Sequence, residues 1–183
     1  MSTKENFFYI QNIIKKIGED KKSTENFKNL VSEKDRFNFT KSECKNLSLT
    51  SDYNLEDFIK FEILANIMYK INSNPELAKE FSSISTMESL TNFVEAQLEN
   101  ENTEVAINKE DIEAFMSSLI ADQIPDGGLE SVSGGGLDDF LSGYSKIGKY
   151  QSAGYQLGQL WGQAIYGDKI ESNAKELQDL YKK

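Results

Sequence analysis

The chain has 183 residues, 38% of them hydrophobic, which allows one or two small domains with a modest core. Its 20 basic and 30 acidic residues leave a net charge of -10, the wrong sign for a binder of phosphate backbones, so nucleic acid is not expected as a partner. There is no histidine, and the single cysteine, Cys44, has no second cysteine to pair with, so the commonest general base and metal ligand are excluded, and no metal or cofactor is expected.

No apolar core follows the basic start, so a secretory signal peptide is not expected. The first two thirds are helical by period. Phe7, Ile10, Ile13, Ile14 and Ile17 repeat at helical spacing, as do Phe61, Leu64, Ile67, Met68 and Ile71. Thr40 with Glu43, and Ser85 with Glu88, fit capping boxes. Asn74-Pro75 fits an N-cap with proline in the first helical position, and Asn108 with Asp111 marks another helix start. These signals predict helices near 4–18, 23–32, 40–47, 55–73, 75–82, 86–99 and 109–121. From Pro125 the composition changes, and residues 123–136 read as a glycine-rich linker. The segment from Gly136 onward holds 7 of the 12 glycines, 5 of the 8 tyrosines and the only tryptophan. Its lysines and acids balance, so residues 1–135 carry the whole -10. One or two helices are expected between 137 and 181. The fold class is all-α.

An internal repeat runs through this pattern. A shift of 54 aligns Phe7 with Phe61, Ile10 with Leu64, Ile13 with Ile67, Ile17 with Ile71, Phe27 with Phe81 and Leu30 with Ile84. A shift of 68 aligns Phe39-Thr40-Lys41 with Ile107-Asn108-Lys109, as if the second copy held one extra helix near 86–99. The alternative is that two amphipathic helices align by phase alone.

Counting back from Gly135, Gly134 is second from the end, Val132 fourth, Leu129 seventh and Ile124 twelfth. This resembles the double-glycine leader of bacteriocin precursors. Upstream, Ile71-Asn72-Ser73-Asn74-Pro75-Glu76-Leu77-Ala78-Lys79-Glu80-Phe81, then Ser85-Thr86-Met87-Glu88-Ser89-Leu90, then Ile107-Asn108-Lys109-Glu110-Asp111-Ile112, resemble the Nif-eleven-like leader peptide family. Residues 1–50 look like an abbreviated leader repeat, 54–122 like the leader domain, 123–135 like the cleavage linker and 136–183 like the core peptide. The segment Glu99–Val105 lacks the glycine usual before the last step, and Gly128 stands where such leaders often carry glutamate. The resemblance implies a precursor made in the cytoplasm. A peptidase-containing ABC exporter would dock Ile124, Leu129 and Val132 and cut after Gly135, exporting a 48-residue peptide, and a peptide-modifying enzyme is a further possible partner. Two glycines suit a narrow protease cleft because neither has a side chain to clash.

In the released segment Gly154, Gly158 and Gly162 share one helical face, suited to close helix–helix approach, with Leu157, Leu160, Trp161 and Ile165 around it. The 18 residues from Tyr150 to Gly167 carry no charge, roughly 27 Å as a helix against a bilayer core of ~30 Å. Gln151, Gln156, Gln159 and Gln163 oppose insertion. A loosely helical segment that orders on a membrane or a partner peptide is expected; the alternative is a soluble helix packed by its glycine face onto the leader. With neither cysteine nor threonine after Gly135, lanthionine rings and cysteine-derived heterocycles are excluded, leaving four serines and a Tyr166-Gly167 step open to modification. No catalytic constellation and no phosphate-binding loop is present, so an enzyme is not expected. The competing function is an uncleaved helical protein-interaction module with Gly134–Gly136 as its hinge.

Overall fold

The computed structural model describes residues 2–49, 52–99, 101, 103, 105–120 and 146–166. Its regular elements there are eight α-helices: α1 Thr3–Glu19, α2 Lys21–Lys28, α3 Glu33–Asn46, α4 Leu55–Ser73, α5 Pro75–Ser83, α6 Met87–Leu98, α7 Lys109–Leu119 and α8 Lys146–Ile165. The all-α expectation holds, and no strand occurs among the described residues.

Short polar side chains start these helices by accepting backbone N–H bonds that the first turn leaves unmade. Ser2 opens α1 in a reciprocal capping box with Glu5, and Asn54 with Asp57 and Asn108 with Asp111 do the same for α4 and α7. Two residues close one helix and open the next. Asp20 ends α1 and accepts from the Ser23 N–H of α2; Asn74 ends α4 and accepts from Glu76 and Leu77, with Pro75 first in α5.

The structure differs from the sequence reading at three starts. α2 spans Lys21–Lys28 rather than 23–32 because Asp20 is its cap. α3 begins at Glu33, where Ser32 accepts from Asp35. Thr40 is not a cap: it is buried within α3 and its hydroxyl donates to the Phe37 carbonyl at 2.8 Å. A mid-helix threonine bonding backwards leaves the same residue pattern as a cap. For α6 the cap is Thr86, accepting from Ser89, rather than Ser85.

The caps carry the 54-residue period. Asp20 and Asn74, Ser32 and Thr86, and Asn54 and Asn108 are each separated by that interval. So are Phe7, Phe61 and Phe115, whose rings meet in the core with centroids 6.2, 6.0 and 5.4 Å apart. Polar ties repeat too: Asn6 donates to Asp57 at 2.8 Å, and Lys60 lies 3.1 Å from Asp111. The cap register pairs α3 with α6. Phe39–Lys41 lies inside α3 and Ile107–Lys109 enters α7, so the shift of 68 joins segments that are not equivalent in the fold.

One core unites these helices. α4 is its axle: Phe58, Phe61, Leu64, Ala65, Ile67, Met68 and Ile71 are all buried, and solvent meets it along a stripe that includes Glu56, Lys70 and Ser73. α1 and α7 cover part of it. Its most extensive contact is with α8, which also touches α1, α2, α5 and α7.

Candidate functional site

The sequence singles out the glycine-faced helix, and the structure seats it in a groove along α4. At Gly158 an added Cβ would lie 2.7 Å from the Met68 carbonyl oxygen; at Gly154 it would lie 2.8 Å from Met68 Sδ. The absent side chains are therefore what lets the two helices approach. α1 supplies a matching notch, since a Cβ on Gly18 would lie 2.7 Å from Leu160 Cδ1. Gly162, the third glycine of the face, is also buried.

Beside this seam Leu157 and Trp161 turn into the core. The Trp161 ring meets Phe27 of α2 and Phe61 of α4 edge-on, at centroid distances of 6.1 and 6.3 Å. Its indole N–H donates to Asn66 Oδ1 at 2.7 Å, which satisfies the one polar atom the ring buries. Tyr166 donates its hydroxyl to the same Asn66 oxygen at 3.1 Å and stacks on Tyr69 at 4.6 Å.

Two further polar anchors lie along the helix. Asn72 of α4 donates to the Tyr155 carbonyl at 2.8 Å. Gln151 donates to the carbonyls of Phe81 and Ile84, at the end of α5. Those carbonyls belong to a last helical turn that needs outside donors, so Gln151 serves α5 as a cap supplied from another helix. The glutamines that oppose membrane insertion thus divide by role. Gln151 is buried and bonded, whereas Gln156 and Gln163 form an exposed stripe.

Five large side chains of α8 are buried: Ile147, Tyr150, Tyr155, Leu157 and Trp161. At ~1.5–3 kcal/mol each, as an upper bound, they contribute roughly 8–15 kcal/mol. This gross gain works against the entropy lost in ordering the helix, and burial spread from Ile147 to Trp161 makes α8 part of the fold rather than an appendage. The expectation of a helix left loose until it meets a partner does not hold for residues 146–166: the partner that orders it is the chain's own bundle. Among the described residues no helix is long and apolar enough to cross a membrane.

No family model, curated protein or solved structure matches the chain.

Ile124, Leu129, Val132, Gly134 and Gly135 lie outside the described residues. Gly154, Leu157, Gly158, Trp161 and Gly162 are brought together on α8, with Gly154 and Gly158 on α4, Gly162 buried, and the two large side chains in the neighbouring core. The receiving residues Asn66, Asn72 and Gly18 escape a sequence reading. One signal does point to α4 as a receiver: it is apolar over most of its circumference, and such a helix needs covering from more than one side. Among the described residues no group of three or more histidine, cysteine, aspartate or glutamate side chains is arranged to hold a metal ion.

One charged pair is set into the same helix one turn from Asn66. Arg36 of α3 grips Glu62 through Nε to Oε1 at 2.6 Å and Nη2 to Oε2 at 3.1 Å, and Nη1 donates to the carbonyls of Leu30 and Val31. Burial pushes the Glu62 carboxyl up to about 7 against the downward pull of Arg36.

Proposed function

We propose that the chain is a peptide precursor that stores its C-terminal helix folded inside its own leader. The observation that carries this reading is the closed seam. The glycine face that suits α8 to helix association is spent on α4, so the helix is inert while attached. The segment between α7 and α8 is the only covalent link between the bundle and this helix, and it holds Gly134-Gly135 with Ile124, Leu129 and Val132 at leader spacing. A single cut after Gly135 divides the chain into the bundle α1–α7 and a 48-residue product beginning Gly136-Leu137-Asp138. In this reading the chain is a substrate. Its partners are a peptidase-containing exporter and a peptide-modifying enzyme that grip the leader's acidic, amphipathic surface; the precursor stays in the cytoplasm and the product leaves it.

The test is intact mass after incubation with the peptidase domain of a double-glycine exporter, on the wild type and on Gly135→Ala. The 48-residue product is expected from the wild type and not from the variant. A second reading, an uncleaved helical interaction module, is favoured by the burial of Trp161, which is only 1% exposed. It calls for no product from either chain under conditions that cleave a control leader.

A further inference from the structure

We infer that the groove on α4 keeps hold of α8 after the backbone between α7 and α8 is cut, so that release of the helix, rather than cleavage, is the step that sets it free. The inference rests on the precursor reading and adds a regulatory step to it.

Four features support retention. The contacts that seat α8 come from α1, α2, α4, α5 and α7, all on the N-terminal side of the cut. The polar anchors are spread along the helix: Gln151 in its second turn, the Tyr155 carbonyl near its middle, Trp161 and Tyr166 at its end. Peeling from either end therefore meets an anchor before the glycine seam opens. The seam itself is backbone against backbone at Gly158 and Met68, a fit that depends on no residue of the connecting segment. Finally, Gly148, Gly154, Gly158 and Gly162 make α8 a poor helix on its own, so leaving the groove also forfeits helical structure. Cutting the chain removes only the tether, that is, the effective concentration of one part about the other. The bundle then acts as a holding partner for its own product, and a pulling or competing agent is needed to part them.

The test uses the full chain with a site-specific protease sequence in place of residues 125–131, cut under native conditions. Gel filtration with intact mass and the emission of Trp161, the only tryptophan, is read before and after the cut. Co-elution of both pieces with unchanged emission, and separation only in denaturant, is expected. A C-terminal piece that elutes alone, with emission shifted to that of exposed tryptophan, overturns the inference. Asn66→Ala removes the acceptor shared by Trp161 and Tyr166 without adding bulk. Uncut, this variant should keep the wild-type circular dichroism; cut, it should lose the C-terminal piece about tenfold faster than wild type. An unchanged rate of loss overturns the assignment of the α4 groove as the holder. The two proposals fail separately. A chain that the exporter peptidase never cuts, yet retains α8 after the engineered cut, loses the precursor reading. A chain that the peptidase does cut, and that drops α8 at once, keeps the precursor reading and loses the retained helix.

Discussion

Gly154 and Gly158 sit one turn apart on the same face of α8, yet they meet different kinds of neighbour. The atom that an alanine would strike at Gly154 is Met68 Sδ, in the middle of a flexible side chain; at Gly158 it meets the Asn72 amide, which is tied to the Tyr155 carbonyl, and behind it the Met68 carbonyl, which cannot turn aside. Gly154→Ala is therefore expected to fall within about 1 kcal/mol of wild type, because the gain in helix propensity offsets a small rearrangement. Gly158→Ala should cost about 1–3 kcal/mol through overpacking. Urea unfolding of both variants checks the contrast, and equal stabilities would refute the seam geometry. Glu62 gives a pH prediction. Its carboxyl titrates at about 7 when folded against an ordinary 4.5, so the folded chain binds more protons between those values. Its contribution to stability is fully present below the unfolded value and is lost as pH rises through the folded one. The urea midpoint of wild type should fall relative to that of Glu62→Gln between about pH 5 and about pH 8. Parallel trends in the two proteins would show that Glu62 stays ionised throughout.

At the scale of the element, helix starts were legible wherever the cap itself had a distinctive neighbour. Asn74-Pro75 and the Asn108–Asp111 box both mark true starts, and α4 and α5 fall within one residue of their predicted bounds. α3 is the exception: Thr40 with Glu43 has the composition of a capping box, as does Ser32 with Asp35 eight residues earlier, and composition alone does not say which pair starts the helix and which hydroxyl bonds back within it. Ser32→Ala should accordingly cost about 1 kcal/mol in thermal or urea unfolding. The glycine spacing of α8 was legible too, but its destination was not. A periodic face declares that a helix must pack, not on what; the identity of α4 as receiver depends on contacts such as Asn72 to Tyr155, which lie 83 positions apart in the chain.

For the molecule as a whole, the sequence divides the chain at its glycine run into an acidic part and a neutral part, whereas the core ignores that division. Trp161 packs between Phe27 and Phe61, so aromatic rings from both parts share one site. Ending the chain after residue 121 is expected to leave the α4 groove open to water and to cost most of the cooperative stability. A shallow or absent thermal transition with binding of a hydrophobic dye would be the sign. A sharp transition at the wild-type temperature would mean that the bundle completes itself without α8. The same arrangement sets a clock on the newborn chain. The axle of the core is made early and its largest covering helix last, and at ~5–20 residues per second α4 waits roughly 5–18 s for α8 to be translated. Throughout that interval the apolar groove stands open on the ribosome, accessible to a chaperone or to any helix that fits it. The fold closes only once translation has run past Ile165, so during synthesis another molecule can reach the groove without first displacing its natural occupant.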